Sequence, residues 1–221
     1  MIRAVIFDMD GLMFDTESIF FQYFDRVCEP YGLTVPEEVI KAMIGVDSAT
    51  VDRFEEEYPG ITRAMKDFQR ERLNYYFEMF PQPKMGNKKG LEALIAVLNR
   101  EKIPYAIASS SALNDIQRLI DHADCDIRPA CIISSKDEGL PSKPQPDIFL
   151  RAGEELGVAP QEILVLEDSK NGVLATRKAG MQSVYIPDKI SVDRQMYPYV
   201  HTTCQSLDEV IEIVEKRENI M

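Results

Sequence analysis

The chain has no tryptophan, and only two of its 221 residues are histidine, His122 and His201. A metal centre built from several imidazoles is thereby excluded, and a cation held here is held by oxygen. The four cysteines, Cys28, Cys125, Cys131 and Cys204, form no CxxC pair. They fit small buried positions or reduced thiols rather than a zinc site. Basic residues are outnumbered, 25 Lys and Arg against 37 Asp and Glu, which leaves a net charge of -12. Nucleic acids and membrane surfaces are anionic and favour basic patches, so neither is expected as a partner. A small anion is still acceptable, because a few local cations and backbone amides outweigh the global charge. No apolar run approaches the ~20 residues of a membrane helix. The N-terminus has neither the basic region nor the long apolar stretch of a secretory signal. A cytoplasmic location is expected, and a monomer.

What is present is a series of short apolar runs: AVIF (4–7), YAIA (105–108), CIIS (131–134), ILVLE (163–167) and SVYI (183–186). Each reads as a strand buried on both faces. Most are separated by segments of helical period. In residues 88–101, Leu91, Leu94, Ile95 and Leu98 share a stripe; in 112–123, Leu113, Ile116, Leu119 and Ile120 do. The segment PDIFLRAGEELG ends on Gly157, a helix stop. Strands alternating with helices predict an α/β fold with a parallel, doubly wound sheet. Residues 16–81 break the rhythm with helical pattern only. They predict a helical insertion after the first strand, with residues 1–15 and 82–221 forming the α/β domain.

Ligands bind outside the carboxyl ends of the strands in such sheets. Asp8 and Asp10 follow the first strand, Ser109, Ser110 and Ser111 the second, Lys143 the loop beyond the third, and Glu167, Asp168 and Ser169 the fourth. Residues i and i+2 of an extended chain point the same way, so Asp8 and Asp10 can face one site. Acids from two strand ends make a hard-cation site suited to Mg²⁺, which uses one or two carboxylates and keeps waters for a phosphate. Hydroxyls and amides between a strand and a helix suit an anion. Ser111 is expected to cap the following helix while Ser109 reaches the anion; Ser169 is a candidate cap for the helix after Asp168. Lys143 precedes Pro144 and is therefore biased away from helical geometry. It is the single cation among several acids.

The segments FDMDGLMFDTE, IASSS, SKPQPDIF and LEDSKNGVLATRKAGM resemble, in order and spacing, the four motifs of the haloacid dehalogenase superfamily. The helical insertion resembles the small helical cap of the β-phosphoglucomutase-like phosphatases and mutases. The resemblance implies a Rossmann-like core with a cap after the first strand, Asp8 as nucleophile forming an aspartyl-phosphate, and Asp10 as general acid and then base. It implies Ser109 and Lys143, with Ser110 beside them, as phosphate holders. Mg²⁺ would be held by Asp8, Asp168 and the Asp10 backbone carbonyl, with Glu167 assisting. An acid two residues past the nucleophile argues against dehalogenation, in which no alcohol needs a proton.

In the mutase pattern a cap histidine stands where this chain has Phe20, and an arginine where it has Ser48 beside Asp47. The expected activity is therefore a phosphatase acting on a small phosphorylated metabolite, a sugar phosphate or nucleotide monophosphate. A sugar phosphomutase is one alternative. A non-enzymatic phospho-aspartate signalling module is the other, which the first-strand acids and the insertion disfavour. Phe14, Phe20, Phe21 and Tyr23 are read as core rather than substrate wall, Arg72 as solvated, Asp15 as shaping the entry to the cap, and Glu17 as hinge or rim.

Overall fold

The computed structural model describes residues 1–43, 51–81, 86–188 and 198–216. The chain folds as two compact units, Met1–Phe14 with Asn87–Met221, and Asp15–Gly86.

The first unit is built on a six-stranded, wholly parallel sheet of order β3-β2-β1-β4-β5-β6. Its strands are β1 (Ala4–Phe7), β2 (Tyr105–Ser109), β3 (Cys131–Ser134), β4 (Ile163–Glu167), β5 (Gln182–Tyr185) and β6 (Thr202–Thr203). The apolar runs become strands because a central parallel strand is covered on both faces. Every residue of β1, β2, β4 and β5 is buried. β1 lies at the centre, with Val5 opposite Tyr105 on one side and Leu164 on the other. Chain order reverses there, so the carboxyl ends of β1, β2 and β4 open onto one crevice. β6 has two threonines and no apolar run, and the sequence patterning gives no hint of it.

The helices of this unit, numbered after the three of the second unit, are α4 (Leu91–Glu101), α5 (Leu113–His122), α6 (Ser135–Glu138), α7 (Asp147–Leu156), α8 (Lys170–Lys178) and α9 (Val210–Lys216). The expected stripe of α4 is buried, and α7 ends on left-handed Gly157. In α5 only Ile116 and Leu119 are buried, and Leu113 is exposed. The cap expected from Ser111 does not form, because Ala112 holds the N-cap position. Leu113 N–H donates instead to Asp137 Oδ2, 2.6 Å away on α6. The four cysteines are free thiols.

The second unit contains α1 (Glu17–Cys28), α2 (Glu37–Met43) and α3 (Ile61–Met79). α1 and α3 pack through rings: Phe20 stacks on Phe24 at 4.6 Å and meets Phe68 edge-on at 4.7 Å, and Tyr23 stacks on Tyr75 at 4.8 Å. Such pairs add about 0.5–1.5 kcal/mol each beyond burial. Phe20 and Tyr23 are thus core, as expected. Asp15 accepts from Ser18 N–H and Ser18 Oγ at 3.2 and 2.6 Å, closing the entry to α1. α3 begins on Gly60, which has no side chain to cap it. Glu55 serves instead, accepting from Gly60 and Thr62 N–H at 2.8 and 2.9 Å. Asp47 and Ser48 lie outside the described residues. Among the described residues, no helix is long and apolar enough to cross a membrane.

Candidate active site

Strand pairing fixes the backbone of the first acid. Asp8 N–H donates to Leu166 O at 3.0 Å, one residue beyond β1, so the Asp8 carboxylate emerges where β1 and β4 end together. The chain then turns sharply: Gly11 N–H donates to Phe14 O at 2.9 Å, and Gly11 sits at φ 81°. That conformation favours glycine. Space demands it too, since a Cβ on Gly11 would overlap Asp168 Oδ2.

Lys143 stands between two carboxylates. Its Nζ bonds Asp8 Oδ1 and, at 2.6 Å, Glu167 Oε1, and it lies 4.8 Å above the centre of the Phe149 ring. The other oxygen of Glu167 accepts from Ser169 N–H at 3.0 Å and Ser169 Oγ at 2.9 Å. Glu167 is therefore held at both oxygens and is fully buried. Ser169 also caps α8, accepting from Gly172 N–H at 3.0 Å, as expected. Gly172 itself must lack a side chain, because a Cβ there would fall on the Glu167 carboxylate.

The electrostatics follow from this enclosure. Burial pushes the Asp8 carboxyl up, to about 7; Lys143 pulls it back, and Glu167 and Asp10 push it further up. Burial acts to lower the Lys143 pKa, but Asp8 and Glu167 outweigh it and hold the ammonium charged. A buried carboxylate is costly without such a partner.

Asp10 belongs to a second group. Ser111 Oγ donates to Asp10 Oδ2 at 2.6 Å, and Ser109 Oγ does so at 3.3 Å while accepting from Ser111 N–H at 3.0 Å. Ser111 O in turn lies 2.7 Å from Ser134 Oγ at the end of β3. Ser110 is exposed at the end of β2. The fold thus brings Asp8, Lys143 and Glu167 into direct contact, sets Asp10 against Ser109 and Ser111, and puts Asp168 against Gly11.

One role and one residue here escape the sequence reading. Ser111 was legible as a polar residue at a strand end, but its role as a donor to Asp10 needed the tertiary contact. Asp188 follows β5, and its Oδ2 lies 3.3 Å from the position of a Gly11 Cβ. Extending the strand-end rule to the fifth apolar run would have found it.

The described fold is a doubly wound α/β core with a helical unit inserted after β1, and acids, hydroxyls and one largely buried lysine gather at the strand ends of the core. Comparison with known proteins identifies the family. Residues 5–186 match the model of the haloacid dehalogenase-like hydrolases. A Drosophila melanogaster protein named "Probable pseudouridine-5'-phosphatase" is 34% identical over 196 residues, 83% of this chain and 80% of its own. A "Phosphorylated carbohydrates phosphatase" of Thermotoga maritima is 28% identical over 187 residues, 83% of this chain and 84% of its own. The solved β-phosphoglucomutase of Clostridium difficile superposes with a TM-score of 0.74 at 22% identity, covering 98% of this chain and 97% of that one. The chain belongs to the haloacid dehalogenase-like hydrolase family.

Proposed function

We propose that the chain is a Mg²⁺-dependent phosphomonoester hydrolase for a small phosphorylated metabolite, a sugar phosphate or nucleotide monophosphate, working through phosphoryl transfer to Asp8. The observation that carries this reading is the buried bridge of Lys143 between Asp8 and Glu167. It supplies a fixed cation beside a carboxylate nucleophile, and phosphoryl transfer depends on positioning and charge neutralisation.

Asp8 attacks phosphorus through a carboxylate oxygen, and the ester P–O bond breaks as the new bond forms. Asp10, held at Oδ2 by Ser111, gives its proton to the departing alcohol. It then takes a proton from the water that attacks the phospho-aspartate, which returns Asp8 and releases inorganic phosphate. Lys143 and Ser109 hold the phosphoryl oxygens, and Ser110 stands at their rim. Glu167, engaged at both oxygens, acts by holding Lys143 in place. A positioned acid such as Asp10 contributes ~10²–10⁴-fold in rate.

The donors suit Mg²⁺. Asp8, Asp168 and the Asp10 carbonyl are all hard oxygens, and the missing Cβ of Gly11 leaves room for Asp168 beside the nucleophile loop. When bound, Mg²⁺ neutralises charge between the Asp8 carboxylate and the phosphoryl group. A phosphatase is favoured over a mutase because the position of the mutase cap histidine is Phe20, packed between Phe24 and Phe68 with no proton to exchange. A cytoplasmic, monomeric enzyme fits the acidic composition.

Phosphate release from a panel of phosphorylated metabolites, with Mg²⁺ and after EDTA, tests the proposal. One substrate class turned over far faster than the rest, with loss on chelation, is expected. Isomerisation without phosphate release would make it a mutase. A stable phosphoprotein without turnover would make it a signalling module.

A further inference from the structure

Beyond β5 the chain stays paired for one more residue, Ile186 N–H donating to Glu167 O at 2.8 Å. That pairing delivers Asp188 to the side of Asp168, and the two offer carboxylate oxygens within 4.8 Å of each other. The Asp188 side chain is only 6% exposed. Its Oδ1 is paired with Lys88 Nζ. Lys88 is fixed in turn by its N–H, which donates to Met13 O at 2.8 Å on the loop that carries Asp10 and Gly11. Asp188 Oδ2 is buried and has no hydrogen-bond partner among the described residues. It points towards the gap left by Gly11, 3.3 Å from where a Cβ would stand, and Asp168 Oδ2 borders the same gap.

A buried carboxylate oxygen facing a second carboxylate is unfavourable unless a cation or a donor lies between them. Lys88 neutralises Asp188 from the other side and leaves Oδ2 in need of a donor. We propose that Asp188, oriented by Lys88, is a positioning residue for the catalytic cation, its Oδ2 accepting a hydrogen bond from the cation's hydration shell beside Asp168. This rests on the Mg²⁺-dependent reading above. Mg²⁺ keeps several waters, and acceptors for those waters typically tune affinity by 10–100-fold. Asp188 thus adds a fifth strand end to the site.

The test is calorimetric Mg²⁺ binding to the full chain without substrate, with Mg²⁺-induced thermal stabilisation as a second readout. Asp188→Asn is expected to weaken binding by about 10-fold, and Lys88→Met by less, since the acceptor survives but loses its orientation. Far-UV circular dichroism checks that both variants fold. Wild-type Mg²⁺ affinity in Asp188→Asn, alongside clear loss in Asp168→Asn, overturns the proposal and leaves the cation reading standing. Equal lowering of Tm by both variants at unchanged Mg²⁺ affinity also overturns it, since the pair would then be only structural. Undiminished Mg²⁺ binding in Asp168→Asn removes the cation reading itself, and this proposal with it.

Discussion

The two units of the molecule solve the problem of buried polarity in opposite ways. In the helical unit, Ser18 is the one polar or charged residue buried among the described residues, and it is satisfied by Asp15. The core there is aromatic. The α/β unit has an aliphatic core around its sheet, yet buries Asp8, Glu167 and several serines at the strand ends. A parallel sheet can carry that arrangement because backbone pairing fixes where each strand end points before any side chain contributes. A pair of helices joined by rings has no such frame and is stabilised chiefly by packing.

The sharpest separation between the units comes from Asp8→Asn, which is expected to cut turnover by on the order of 10⁴-fold or more with circular dichroism unchanged. A rate near wild type would remove the nucleophile assignment. Asp10→Asn should follow with a loss of ~10²–10⁴-fold, largest for substrates with poor leaving groups and smallest for aryl phosphates. The converse change is Phe68→Ala, which removes the ring against Phe20 and Phe24 and should cost about 3–5 kcal/mol. Hydrogen exchange should rise across residues 15–86 and leave the sheet protected; equal loss in both units would dissolve the contrast. Ser111→Ala should lower kcat by roughly 10-fold with KM little changed, the effect of one lost hydrogen bond to Asp10.

The smallest effect is one of sign. The raised carboxyl of Asp8 keeps its proton in the folded, metal-free protein between about 4 and about 7, where the unfolded chain has lost it. Stability of the metal-free α/β unit should therefore rise as pH falls through that window. Glu55 is shifted the other way: the Thr62 and Gly60 amides hold it below the usual carboxylate range. Its contribution to the helical unit is present above that range and is lost as pH falls through its folded value. Exchange measured unit by unit should show the α/β slope between about 4 and about 7 and the helical-unit slope, opposite in sign, below the usual carboxylate range.

Much of this was legible before folding. Five apolar runs became five strands within a residue or so, because a strand covered on both faces leaves little room for polar residues. The acids and the lysine could be placed because a doubly wound sheet puts all its strand ends on one edge. What was not legible depended on contacts across long sequence separations. The Thr202–Thr203 strand shows no apolar pattern, and only its pairing with β5 reveals it. Ser111 looked like a helix cap because local chemistry favours that; Asp10, 101 positions away, claims its hydroxyl instead. Lys88 carries no local signal, and only Asp188, 100 positions on, gives it a partner.

Gly172 touches no reacting atom, yet the Glu167 carboxylate occupies the volume where its side chain would stand. Evolutionary freedom at the site is therefore narrower than its set of acids and hydroxyls indicates. In a saturation library screened for activity, position 172 should be as intolerant as the acids themselves, with even alanine rejected. The neighbouring Asn171 should accept a wider range. A map of tolerance would then outline the support behind Lys143, through a residue with no chemistry of its own.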